Sequence, residues 1–211
     1  MEFSFNHTPL IEAGHIEAPS PDAIKGTLGL FRASLEDAVR YGGPITRSAL
    51  SAMNLRGDRL HTTVDVKIHM LMAGQNPAIP GWHTDGVPRN PDGSPSGGSP
   101  NLNLQRGFDL IGAQPRFHFL TTGMHSLTEF VKSPFSLHLD NDVYESSSLY
   151  KELSRIVERK TREGELETFK VSPNQVYEFG WWDVHRGTFS TGREWRYFIR
   201  VTESNFLPPN K

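Results

Sequence analysis

The 211-residue chain has no cysteine. That excludes a disulfide framework, thiolate zinc sites, iron–sulfur clusters and a cysteine nucleophile. It leaves the compartment open, because an absent residue fits any redox potential. Net charge is also scarce: 22 Lys+Arg against 24 Asp+Glu leave −2. The chain has no broad electrostatic handle on nucleic acid or on an anionic membrane. Long apolar runs are missing too, and no stretch approaches the roughly 18–20 residues of a membrane span. Residues 1–15 carry Glu2 and Glu12 and neither a basic start nor a long apolar run, so no secretory signal is expected. The expectation is a soluble, cytoplasmic protein. What is present is histidine, carboxylate, Arg and Tyr. With 36% hydrophobic and 10% aromatic residues the chain reads as globular. Its length fits one domain, 1–211. Nine His without Cys make an N/O metal site the first thing to look for.

The spacing predicts a helical preface over about 1–58 and a β core over about 62–202. Pro19-Ser20-Pro21-Asp22 is a helix start signal, and Ile24, Leu28, Phe31, Leu35 and Val39 follow at helical spacing. Gly42-Gly43-Pro44 stops that helix, and a shorter one is expected over 45–54. From Thr62 the period becomes two. Val64, Val66, Ile68, Met70 and Met72 alternate with Asp65, Lys67, His69 and Leu71, giving one apolar and one largely polar strand face. Residues 86–101 are rich in Gly, Pro, Ser and Asn and predict a long mobile loop, of the kind that serves as a lid or binding loop. Further strands are expected at 116–121, 135–139, 175–179 and 195–202. One inserted helix is expected at 146–162, with Leu149, Leu153, Ile156 and Val157 as its apolar stripe. The tail from Ser204 is expected to be loosely held. The class is α+β, mostly antiparallel.

A His-x-Asp pair in extended backbone puts both side chains on one face. A further His from a neighbouring strand completes a two-His, one-carboxylate set with open positions opposite, the pattern of non-haem Fe(II) oxygenases. His-x-acid occurs three times: His15–Glu17, His83–Asp85 and His138–Asp140. His15–Glu17 precedes the first helix with no strand around it. His138–Asp140 ends a strand, but only 45 residues separate Asp140 from His185, and the inserted helix takes many of them. Too few remain for the strands between the metal strands of a jelly roll. His83–Asp85 follows a strand and a turn, and His185 lies 100 residues further on. Past His185 and the turn at Gly192, Arg196, Phe198 and Arg200 share one strand face, and Tyr197, Ile199 and Val201 share the other. An inward Arg is expensive without an anionic partner. Its fork binds a carboxylate bidentately. Arg196, eleven residues past His185, therefore suggests a dicarboxylate cosubstrate.

The order His-x-Asp, long gap, His, then Arg resembles the Fe(II)/2-oxoglutarate-dependent dioxygenase superfamily, and the spacing resembles its phytanoyl-CoA hydroxylase-like and taurine-dioxygenase-like branches. The resemblance covers about residues 62–202 and is concentrated in 81–86 and 175–201. It implies a double-stranded β-helix (jelly roll) with short N-terminal helices and one inserted helix. It also implies Fe(II), 2-oxoglutarate and O2 as the reacting set. His83, Asp85 and His185 match the catalytic metal triad. Arg196 matches the residue that binds the distal carboxylate of 2-oxoglutarate. Thr128 or Thr121 would be its hydroxyl partner. Arg200 matches a position that faces substrate or cosubstrate in some relatives.

Other residues have two readings each. Trp82, Trp181 and Trp182 flank the ligands and are either cavity wall or packing. His69 and Lys67 either reach the cavity or lie on a solvated sheet edge. Arg89 either meets an anionic substrate or is solvated. His118, His125 and His138 read as ordinary hydrogen-bonded histidines. Three function classes stand side by side: a 2-oxoglutarate oxygenase, a cupin-like non-redox metal enzyme (isomerase or hydrolase), and a non-catalytic jelly-roll binding module. For the enzyme readings a small-molecule substrate is expected and no membrane. Nucleic acid is disfavoured by the near-neutral charge, although a local basic patch stays open.

Overall fold

Short strands and caps, rather than one long helix, organise the first 58 residues. The structure is a computed structural model describing residues 1–95 and 97–210. Ser96, inside the Gly/Pro/Ser-rich loop, and Lys211 lie outside the described residues. β1 (Glu2–Phe5) and β2 (Ile11–His15) come first, then α1 (Pro21–Lys25), β3 (Leu30–Ser34), α2 (Leu35–Tyr41) and α3 (Gly43–Ala52). The expected helix from Pro21 to Val39 is thus two short helices with a strand between them. Gly26 caps α1 with its N–H on Asp22 and Ile24 carbonyls. The chain then pairs with the next strand, Leu30 opposite Val66 and Ala33 opposite Val64. Helical spacing loses here because glycines at 26 and 29 interrupt it and an open sheet edge offers backbone partners. Leu28 (54% exposed) and Phe31 (73%) consequently face solvent. His15 ends β2 rather than lying outside any strand.

The β core follows: β4 (His61–Leu71), α4 (Leu102–Leu110), β5 (Arg116–Thr121), β6 (Thr128–Val131), β7 (Phe135–His138), α5 (Asn141–Tyr144), α6 (Leu149–Arg162), β8 (Thr168–Lys170), β9 (Gln175–Gly180), β10 (His185–Gly187) and β11 (Glu194–Ser204). The six-stranded sheet has the order β2-β9-β5-β11-β4-β3, a three-stranded sheet the order β10-β6-β8, and β1 pairs with β7. Every pairing is antiparallel. β11 runs along β4 for its whole length, from Glu194 opposite Leu71 to Ser204 opposite His61.

The large sheet separates two cores. On one face Val64, Val66, Leu120, Tyr197, Ile199 and Val201 pack against Ile24, Ala38, Ile45, Ala49 and Leu50 of the helices. On the other, Phe117, Phe119, Tyr177 and Phe179 meet Phe130 and Val131 of the small sheet, with Leu149, Leu153 and Val157 of α6 behind. This is the expected division of β11, with Arg196, Phe198 and Arg200 turned toward the small sheet.

The described residues of the 86–101 segment are bonded to one another rather than running free. Asn101 N–H donates to Pro88 O at 3.0 Å and Arg89 N–H to Ser94 O at 2.9 Å. The tail is held as well. The Arg32 guanidinium donates to Pro208 O at 2.6 Å, and Asn210 N–H donates to Arg32 O at 2.7 Å. Phe206 packs on Phe108 with ring centroids 4.8 Å apart. Among the described residues no helix is long and apolar enough to cross a membrane.

The far end of β11 is pinned by a buried acid. Glu203 is 0% exposed. It accepts from Arg56 N–H at 2.9 Å, Gly57 N–H at 2.7 Å and the Arg116 guanidinium at 2.9 Å, and pairs with His118 Nε2 at 3.0 Å. Removing it leaves two backbone donors without their acceptor and the buried His118 ring without its partner, while the Arg116 guanidinium keeps Asp58. Glu203→Ala is expected to destabilise the fold by about 3–5 kcal/mol in urea unfolding. A loss under about 1 kcal/mol would show that water replaces the carboxylate there.

Candidate metal centre

His83 lies outside the named strands, in an antiparallel bridge with His185 at the start of β10. Each donates its backbone N–H to the other's carbonyl at 2.9 Å. The two imidazoles are thereby placed side by side, ring centroids 4.7 Å apart. Each Nδ1 sits 2.9 Å from the carbonyl oxygen two residues earlier, Gly81 O for His83 and Asp183 O for His185. A carbonyl only accepts, so Nδ1 carries the proton and Nε2 keeps its lone pair for a metal. Gly81 has φ 91°, and a Cβ there would lie 2.8 Å from Ser154 Oγ. The turn that aims the Gly81 carbonyl at His83 therefore needs glycine.

Asp85 follows His83 by two residues and completes the group. One ligand atom from each of His83, Asp85 and His185 lies within 4.8 Å of the others, and together they could hold a metal ion. Asp85 Oδ2 is 3.7 Å from His185 Nε2. Burial alone would push the Asp85 carboxyl up, but the Arg200 guanidinium and both imidazoles outweigh it and hold the group well below the usual carboxylate range. Burial pulls His185 down to about 4, against the opposing pull of Asp85. Near neutral pH these two groups are therefore an anion and a neutral imidazole, the states a cation requires. Phe130 stacks on His185 at 5.0 Å and Phe179 meets it edge-on at 5.1 Å.

The triad opens into a cavity of about 130 Å³ between the two sheets. One water needs only about 10–15 Å³ of such space, so a small organic molecule fits. Arg196, Thr128, His69 and Arg200 all line it. Arg196 is 4% exposed. Its Nε donates to Ser126 O at 3.0 Å and its guanidinium lies 5.3 Å from the Phe198 ring centre. Among the described residues it has no ion pair. Burial brings it down to about 10, with Glu194 opposing, so it stays a cation at neutral pH. A buried guanidinium that faces a cavity and has no carboxylate paired to it among the described residues is suited to an anionic ligand. The sequence carries no signal for how Arg196 is held. Glu194 accepts the backbone N–H groups of Met124 (2.7 Å), His125 (3.0 Å) and Ser126 (3.1 Å), fixing the loop whose carbonyl takes Arg196 Nε.

The other expected residues separate. Thr128 is buried on the lining, whereas Thr121 is not on it and its hydroxyl donates to Thr122 O at 3.3 Å. His69 lies opposite Arg196 in register, with Nδ1 buried and unpartnered. Arg200 binds Asp85 and Asp65, so its fork is engaged by protein. Arg89 is away from the lining and donates to Gly98 O at 2.7 Å. Trp82 is core, 1% exposed, with the Arg186 guanidinium 4.4 Å over its ring. Trp181 and Trp182 donate their indole N–H groups to Asp109. His15 and His138 stand on β2 and β7, apart from the triad. No family model, no curated protein and no solved structure matches the chain.

Two outcomes follow from this geometry. The His185 value near 4, below its ordinary 6.5, means that the fold favours the neutral ring. Stability from this group is complete above pH 6.5 and is lost as pH falls toward 4. The metal-free protein should lose on the order of 3 kcal/mol across that window, and His185→Gln should flatten the slope. Equal slopes for the two proteins in urea unfolding would contradict it. Separately, a divalent metal at about 100 times its Kd should stabilise the protein by about 2.7 kcal/mol. Calorimetry should show Tm rise with metal, EDTA reverse it, and His185→Ala abolish it.

Proposed function

We propose that this protein is an Fe(II)- and 2-oxoglutarate-dependent oxygenase acting on a small molecule. The observation that carries the reading is the buried Arg196 cation, without a counter-ion among the described residues, in the same cavity as a two-His, one-carboxylate group. The fold is read as a double-stranded β-helix. Its large sheet would contribute β4-β11-β5-β9, and its small sheet the His83 segment followed by β10-β6-β8. That is eight strands in two sheets, as a jelly roll requires. β1, β2 and β3 with the three short helices would be additions around it, and α6 its insertion.

The donor chemistry fits the implied metal. Two imidazole Nε2 atoms with protons fixed on Nδ1 and one ionised carboxylate suit Fe(II) and leave positions open for further ligands. Bound iron would supply oxidation of a substrate C–H bond by O2, with 2-oxoglutarate as the co-reductant that leaves as succinate and CO2. The chain's own residues do the rest. Arg196 binds the distal carboxylate of 2-oxoglutarate through its guanidinium fork, and Thr128 offers the hydroxyl beside it. Phe119, Phe130, Phe179 and Phe198 form an apolar wall that excludes water. Lys67 and Ile79, both exposed and both on the lining, stand where a substrate enters. A cupin-like non-redox enzyme would use the triad but give Arg196 no task, and a binding module would need neither.

Anaerobic titration of the Fe(II)-loaded protein with 2-oxoglutarate should raise a visible metal-to-ligand charge-transfer band. Arg196→Ala should weaken that binding about 10–150-fold, the equivalent of roughly 1.5–3 kcal/mol for charge-assisted hydrogen bonds. Metal bound to folded protein with no band at saturating 2-oxoglutarate would sink the assignment.

A further inference from the structure

The triad's carboxylate is itself held by a second buried acid. Arg200 donates to Asp85 Oδ2 at 2.8 Å through one terminal nitrogen and to Asp65 Oδ2 at 3.1 Å through the other. Asp65 is 5% exposed. Its other oxygen accepts the Arg32 backbone N–H at 2.9 Å. Arg32 has φ 48°, a conformation that a non-glycine residue holds only when its surroundings fix it. The surroundings are the chain's end, through the Pro208 and Asn210 contacts to Arg32.

The charges decide what this arrangement does. Asp85 and Arg200 alone sum to zero, which leaves a divalent cation facing a neutralised ligand beside a full positive charge. Asp65 brings the sum to −1. We propose that Asp65 is a positioning and charge-balancing residue for the metal centre. It turns the Arg200 fork so that only one terminal nitrogen engages Asp85, through Oδ2, which leaves the carboxylate further lone pairs for a metal. It also offsets the repulsion between Arg200 and the ion. The inference rests on the reading that the triad holds a metal, and it needs nothing from 2-oxoglutarate.

The test is Co(II) binding to the full chain by calorimetry, with the visible Co(II) spectrum as a second signature. Asp65→Asn should bind about 10–100-fold more weakly, the usual loss when a ligand's supporting partner is removed. Asp65→Glu, which keeps the charge, should stay within about threefold of wild type. Asp65→Asn/Arg200→Gln should bind at least about fivefold more tightly than Asp65→Asn, because the unbalanced cation is gone. A purely structural Asp65 predicts the reverse order for the last pair. Asp65→Ser removes the same charge and replaces the Asn variant should that one not fold. Wild-type affinity in Asp65→Asn, or a double variant no tighter than the single, overturns the inference while the metal reading stands. A wild-type protein that binds no Co(II) overturns both.

Discussion

Two backbone hydrogen bonds, from His83 to His185 and back, set the geometry on which the rest of the site depends. They are made by the two triad histidines themselves. The same bridge extends the small sheet beyond β10 and places the two imidazoles side by side. Because both rings bond a carbonyl two residues upstream through Nδ1, both present Nε2 to one point. A slip of one residue in this bridge would turn one ring to the opposite face of its strand. Asp85 is brought to the same point by the two-residue period of extended backbone.

Charge inside the cavity is arranged in two unequal parts. On one side Asp85, Arg200 and Asp65 alternate in sign and are bonded to one another. On the other, Arg196 has no ion pair among the described residues and is braced by a carbonyl and an aromatic ring. A guanidinium buried without an anion is costly. The fold nevertheless builds a device to keep it there, since Glu194 organises the loop that supplies the Ser126 carbonyl. That expense is intelligible if an anionic ligand completes the pairing when bound. The aromatic walls lower the local dielectric and strengthen any such pairing.

Much of this was legible in the sequence, and the parts that were not have physical reasons. β4, β5, β9 and β11 announced themselves by length, alternation and β-branched or aromatic content. β11's two faces could be assigned residue by residue. α6 was legible from its stripe, and its boundary moved by three residues. The strands that went unseen, β1, β2, β3, β6 and β8, are three to five residues long, too short for a period to register. β3 in addition lay under a false helical rhythm, which a tertiary sheet edge overrode. α4 had a visible signal in Asn101, whose side chain caps Leu104 N–H at 3.0 Å. The triad and Arg196 were reachable because chemistry restricts their spacing. Asp65 and Glu194 were not, because an acid on a strand looks the same in sequence whether it meets solvent, a guanidinium or a run of backbone N–H groups. Choosing between Thr128 and Thr121 likewise needed the cavity, since both are buried on strands, Thr128 on the small sheet and Thr121 on the large one.

In the proposed site one cavity holds a metal on His83, Asp85 and His185 and a carboxylate on Arg196. The most direct measurement is an anaerobic crystal structure of the full chain soaked with Mn(II) and 2-oxoglutarate. The expected result is metal density bonded to both Nε2 atoms and to Asp85, with the far carboxylate of 2-oxoglutarate on the Arg196 guanidinium and the Thr128 hydroxyl beside it. Metal held by other residues, or a metal-loaded triad with Arg196 facing only water at saturating 2-oxoglutarate, would contradict it.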